Sequence, residues 1–176
     1  MKISILLPYK ENFSPIYPGA VSLFVNETSN LSKYKKDITV YGNTDYKRKF
    51  KIRYKNIILR KNIFESQSRK YVQEFIKIEK DNKSDLIEIH NRPNYLKFLI
   101  DNIDKRTYAL YFHNDPLTMT GSKSIEDRKF LLKFCHKIIF NSNWSKKRFL
   151  QGMHDKFVNS EKLLVVFQSA KKNKIN

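Results

Sequence analysis

Seven short apolar runs divide this chain, and most of them are separated by a stretch whose apolar residues recur at helical spacing. The runs are KISILLP, DITVYGN, NIILRK, DLIEIH, YALYFH, KIIFNS and KLLVVFQS. They are nearly continuous in Ile, Leu, Val, Phe and Tyr, as strands buried on both faces must be; strands with one wet face would alternate. The first helical stretch is Gly19 to Tyr34, with Val21, Phe24, Val25 and Leu31 on one stripe. The second, Ser68 to Lys80, turns Tyr71, Val72, Phe75 and Ile76 inward. The third, Pro93 to Asp104, does the same with Tyr95, Leu96, Leu99, Ile100 and Ile103. Ser124 and Asp127 form a capping box before a fourth helix, and Gly152 closes a fifth. This order predicts an α/β fold, a doubly wound and mainly parallel sheet with helices on both faces.

The length of 176 residues fits one domain, which we place at 1–168 with a basic tail at 169–176. The apolar start Ile3 to Leu7 is too short for a secretory signal and is closed by Pro8, Lys10 and Glu11, so it reads as the first strand. No run approaches the ~18–20 apolar residues of a membrane span. The single cysteine, Cys135, excludes an internal disulfide and suits a reducing compartment. The expected location is cytoplasmic, with peripheral contact at the inner face of the membrane. The formal charge is +18, which attracts anionic partners. Part of that excess reflects coding bias, since 27 Lys stand against 8 Arg, beside 18 Ile and only 3 Ala. The segment Lys33 to Lys70 holds thirteen Lys or Arg against three acids and reads as a solvated excursion around the third strand, NIILRK.

Two of the apolar runs end alike. DLIEIH and YALYFH are each completed by His, Asn, one further residue and Pro: His90-Asn91-Arg92-Pro93 and His113-Asn114-Asp115-Pro116. Ligands of open parallel sheets bind in the crevice beyond the carboxyl ends of the strands. A residue just after a buried strand is delivered to that crevice. His90 and His113 are both so placed, a few ångströms to ~10 Å apart if their strands are neighbours. Asn91 and Asn114 can turn the chain through side-chain hydrogen bonds, and the prolines stop the strands. His90 fits a wall of the crevice as well as a ligand contact, and His113 fits a contact better than a wall. No tight ligand spacing joins His90, His113 and Asp115, so no metal and no other cofactor is assigned.

From YFHNDP through TGSKSIEDRKFLLKFCHKIIFNSNWSKKRFL, the chain resembles the N-terminal domain of a family 4 glycosyltransferase of the GT-B type. The opening ILLPYKENFSPIYPGAVSLFV, a strand and a glycine-bearing loop leading into a helix, is similar too, and the likeness extends from Ile3 to about Val166. It implies a Rossmann-like half of a GT-B fold, a nucleotide-sugar donor, a glycan or lipid-linked acceptor, retention of anomeric configuration and no metal. It implies catalytic roles for His113 and Asp115. His113 would position the donor sugar or support charge beside the leaving phosphate, and Asp115 would orient a hydroxyl or an imidazole. Gly19, Ala20, His90, Asn91, Asn114, Gly121 and Ser142 are the expected substrate contacts. Gly19 stands alone after Pro18 where the family often has two glycines. The family's nucleotide-sugar-binding second domain is absent from these residues, so the expectation is an acceptor-side half, incomplete without a separate C-terminal half.

Other features are weaker. TGSKS lacks the spacing of a phosphate loop, because Ser122 separates Gly121 from Lys123. Cys135 reads as a packed thiol. Trp144 reads as a packing anchor more than a sugar platform. The alternative class is a non-catalytic module in which the basic segment, with Phe50, Ile52 and Tyr54 interleaved, binds nucleic acid or an anionic surface. Nucleic acid is the weaker option, since no recognisable motif supports it.

Overall fold

The computed structural model describes residues 1–59, 65–154, 157 and 160–168. Among these, strands β1 (Ile3–Leu6), β2 (Ile38–Gly42), β3 (Tyr54–Asn56), β4 (Leu86–His90), β5 (Thr107–Phe112), β6 (Lys137–Phe140) and β7 (Leu163–Val165) form one sheet. Every neighbouring pair is parallel, and the order is β3-β2-β1-β4-β5-β6-β7. Helix α1 (Ala20–Leu31) lies on one face. Helices α2 (Gln67–Asn82), α3 (Asn94–Asn102), α4 (Ile125–Phe134) and α5 (Asn143–Leu150) lie on the other. The doubly wound parallel reading is therefore correct.

The continuous apolar runs explain the layering. Each side chain of β1 and β2 is buried, alternate residues facing opposite helix layers. Ile3, Ile5, Ile38 and Val40 meet Val21 and Val25 of α1 in one core. Leu6, Tyr41, Ile87, Ile89, Leu110 and Phe112 meet α2 and α3 in the other. The inward residues expected of the second helix, Tyr71, Val72, Phe75 and Ile76, are all buried. Caps fix the helix ends as the sequence indicates. Ser124 and Asp127 close a reciprocal capping box on α4. Lys83 ends α2 in a left-handed turn.

Two expectations fail locally. The third strand lies at Tyr54–Asn56, so only Asn56 of NIILRK belongs to it, and Arg60 and Lys61 lie outside the described residues. Backbone pairing decides this: Val40 sits opposite Tyr54, and the ladder ends where Gly42 meets Asn56. Leu31 is 81% exposed, because the buried face of α1 is Val21, Ser22, Val25 and Ser29, and Leu31 points away from it. The basic tail 169–176 lies outside the described residues.

Tyr71 ties the helix layer to the functional edge. Its fully buried hydroxyl is shared between the carbonyls of Leu7 and Tyr41, 2.9 and 3.2 Å away, where β1 and β2 end. Replacing Tyr71 by Phe leaves a buried acceptor short of a donor. The expected cost is roughly 1–2 kcal/mol, read as a lower urea midpoint with an unchanged slope.

Candidate active site at the carboxyl edge of the sheet

Because every strand is parallel, all the strand-to-helix loops that follow the strands open on one edge. The order reverses between β1 and β4: from β1 the chain builds outward to β2 and β3, and from β4 outward to β5, β6 and β7. That reversal leaves a crevice between the loops following β1 and β4. Gly19 (after β1), His90 (end of β4) and His113 (after β5) share this edge, as the strand-end argument requires.

The two histidines meet directly. In the β4–β5 register His90 faces Tyr111, which puts His113 two residues further along on the same face. His90 Nδ1 and His113 Nε2 are 2.8 Å apart. The other ring nitrogen of His90, Nε2, lies 2.5 Å from Glu88 Oε1. The free nitrogen of His113, Nδ1, lies 2.6 Å from the Gln168 amide that follows β7. Aromatic rings hold both imidazoles in place. Tyr111 stacks on His90 at 5.4 Å and on His113 at 4.6 Å, and Phe24 of α1 meets His113 edge-on at 5.1 Å.

The repeated asparagine has a structural reason at its first copy only. Asn91 takes a left-handed conformation, φ 53°, which asparagine tolerates better than most residues. Its N–H still donates to the Tyr111 carbonyl, and its side-chain oxygen accepts from His113 N–H at 2.8 Å. Asn141, just after β6, donates to the His113 carbonyl at 2.7 Å. The backbone of His113 is thus held from both neighbouring strands. Asn114 has no such role; it is exposed and its φ is not positive.

Burial and the neighbouring His90 push the His113 imidazole down to about 3. It is therefore neutral at physiological pH. In that form it can take part in hydrogen bonds but carries no positive charge. His90 is fully buried with both ring nitrogens engaged, which places it in the wall of the site.

The other expected contacts scatter into local roles. Asp115 accepts from Leu117 N–H and pairs with Arg148 of α5 at 3.0 Å. Burial pulls its carboxyl upward, but Arg148 and the Leu117 amide outweigh this and leave it below the ordinary range. That carboxylate caps a 3-10 turn, Pro116–Thr118, and anchors α5 through Arg148. Gly121 has φ +91°, and a Cβ there would sit 2.6 Å from the Asn94 backbone nitrogen, so its glycine serves the packing of the α4 approach against α3. Ser142 caps α5 by accepting from Ser145 N–H. Ala20 is exposed at the start of α1. Gly19 is the N-cap, and a Cβ there would overlap the Glu11 carboxylate. Glu11 accepts from Ser22 N–H at 3.0 Å, so the first turn of α1 already holds an anion from its own chain.

Cys135 is a buried thiol, raised to about 12 by desolvation, as expected of packing. Trp144 is 58% exposed with Arg148 over its ring, so it is not the packing anchor expected: α5 turns only Ser145 and Phe149 fully inward. Phe50 and Tyr54 pack on Phe13, and Ile52 is buried, so these side chains belong to the core and form no open stacking platform. Among the described residues no group of three or more His, Cys, Asp or Glu is placed to hold a metal ion.

Glu88, Phe24, Tyr111, Asn141 and Gln168 complete the site without having been expected. Glu88 alone had a sequence signal: it lies two residues before His90, on the same face of the same strand. A cleft of about 760 Å³ opens beside the site at the ends of β1, β2 and β3. Its lining is rich in amides, hydroxyls and aromatic rings, including Tyr9, Asn12, Asn43, Thr44, Tyr46 and Gln67.

No family model and no curated protein matches the sequence. Solved structures do. HepE of Anabaena, in complex with UDP and glucose, matches with TM-score 0.63 and 19% identity over 97% of this chain and 45% of that one. The lipopolysaccharide outer core galactosyltransferase WaaB matches with TM-score 0.57 and 13% identity over 97% of this chain and 46% of that one. MnaA of S. aureus, solved with UDP, matches with TM-score 0.54 and 9% identity over 94% of this chain and 44% of that one. The fold is that of the N-terminal Rossmann-like half of GT-B proteins. The chain spans less than half the length of the solved proteins it matches.

The depressed His113 makes stability depend on pH. The unfolded chain binds this proton near pH 6.5, and the folded chain only near 3. Its contribution is complete above the unfolded value and is lost as pH falls from 6.5 toward 3. The slope contributed is at most about 1.4 kcal/mol per pH unit. Urea unfolding of the protein and of His113→Gln between pH 7 and 4 should show a shallower decline for the variant.

Proposed function

We propose that residues 1–168 form the N-terminal, acceptor-side domain of a glycosyltransferase. It would move a sugar from a nucleotide-sugar to a glycan or lipid-linked acceptor with retention of configuration, together with a second domain that grips the nucleotide. The observation that carries this reading is the position of His113 at the carboxyl edge of the sheet, its Nδ1 covered only by the exposed Gln168 amide, in a fold shared with HepE, whose solved complexes hold UDP, glucose and UDP-glucose. In this reading His113 holds a hydroxyl of the donor sugar. Orientation by fixed hydrogen bonds is worth most in a site from which water is excluded, and a single open-edged domain does not exclude it. The neighbouring cleft, with its amides and rings, suits a sugar acceptor. The chain's excess of positive charge supports peripheral contact with an anionic membrane surface, where a lipid-linked acceptor would lie. No helix among the described residues is long and apolar enough to cross a membrane.

A protein described as a UDP-N-acetylglucosamine 2-epimerase also shares the fold, at TM-score 0.51, so product analysis must separate transfer from epimerisation. The experiment is turnover of radiolabelled UDP-sugars by residues 1–176, alone and with a nucleotide-binding GT-B half added or fused. The expected result is no turnover alone and labelled acceptor with the second half. An epimerised UDP-sugar formed without any acceptor would overturn the reading.

His113→Ala in the assembled enzyme should slow transfer by roughly 10²-fold, as for loss of one preorganised hydrogen-bonding group. It should also cost roughly 1–3 kcal/mol of stability, because His90 Nδ1 is left buried without a partner. Turnover and melting temperature measured on the same preparation separate the two effects.

A further inference from the structure

The three side chains Glu88, His90 and His113 form an unbranched line of hydrogen bonds that runs from the side of the sheet to its functional edge. Its direction follows from simple inventory. An ionised carboxylate can only accept, so His90 Nε2 must donate to Glu88. A neutral imidazole with its proton on Nε2 has a lone pair on Nδ1. With His90 neutral, its Nδ1 accepts, and His113 Nε2 is the donor across the 2.8 Å contact. The proton of neutral His113 is then spent, and its Nδ1 is left as an acceptor. The Gln168 side-chain amide stands 2.6 Å from that atom and can donate to it. Gln168 itself is exposed, so a ligand hydroxyl can replace it at little cost.

We propose that Glu88 is a positioning residue: acting through His90, it holds His113 in the Nε2–H form, so that the edge of the site presents an acceptor for a sugar hydroxyl and not a donor. The rings cannot easily evade this control. His90 is stacked on Tyr111 with 8° between the planes, and Phe24 closes over His113. Which imidazole nitrogen carries the proton is set by the bond that the other nitrogen makes, and here that rule applies twice in series. Without the carboxylate the line loses its polarity. A glutamine at position 88 can donate as well as accept, so both histidines can then shift to the Nδ1–H form, turning the open atom of His113 into a donor.

The link to a sugar hydroxyl rests on the glycosyl-transfer reading; the protonation pattern does not. The test is 15N NMR of histidine-labelled protein, which reports protonation at each ring nitrogen. In the unaltered protein His113 should show a protonated Nε2 and a bare Nδ1. A protonated Nδ1 there would overturn the proposal without any variant. In Glu88→Gln, of nearly the same shape at a partly exposed site, the His113 shifts should move toward a mixture of the two forms, and Glu88→Asp should restore the original pattern. Unchanged shifts in Glu88→Gln would overturn the proposal. In the two-domain enzyme, turnover by Glu88→Gln should fall in proportion to the lost Nε2–H fraction. Full turnover with mixed forms would overturn the positioning role. If the unaltered two-domain enzyme turns over no nucleotide-sugar, the functional reading has failed, and the NMR still decides the protonation pattern.

Discussion

The contact between His90 and His113 depends on the parallel register of β4 and β5, and the rest of the site depends on that contact. His90 faces Tyr111, so His113 lies two positions beyond on the same face, within reach of His90 Nδ1. A slip of one residue would turn His113 into the opposite helix layer. Asn91 guards against the slip. Its left-handed turn lets its backbone continue the ladder to Tyr111 while its side chain accepts the His113 N–H. A loop residue that bonds across two strand ends in this way fixes both the register and the position of the reactive edge. The buried cores on the two faces then hold the strands so that this edge stays open.

The electrostatics of the molecule run on two scales. Over the whole surface the charge is strongly positive, +18 formally, and draws anions of many kinds toward it. At the site the balance is different. His113 is neutral, and the first turn of α1, whose amides would favour a phosphate, is already bonded to Glu11. The domain by itself thus offers hydrogen bonds to neutral hydroxyls more than fixed charge to a diphosphate. That division is the one the proposed glycosyl-transfer reading requires of this domain.

Much of the fold was legible in the sequence because burial on both faces leaves a plain mark. Runs such as YALYF and IIF have no polar alternation, and a sheet covered on both sides is the ordinary way to bury them. The edge residues were legible too, since a polar residue ending such a run must emerge where the strand ends. What could not be read was reach across the sheet. Asn141 and Gln168 come to His113 from β6 and β7, 28 and 55 residues away, and nothing local marks them. Asp115 and Ser142 show a second limit, because caps use the same side chains as ligand contacts, and both residues cap a helical turn here. Trp144 misled for the opposite reason. Its size suggests burial, yet on α5 the positions that face inward are Ser145 and Phe149.

The central claim is that the open nitrogen of His113 is where the transferred sugar is held. A crystal structure of the two-domain protein with an intact nucleotide-sugar tests it most directly. The account predicts a sugar hydroxyl at hydrogen-bonding distance from His113 Nδ1, in the place of the Gln168 amide, with the His90 and Glu88 contacts unchanged. A bound sugar elsewhere, with Gln168 still on His113, would contradict it.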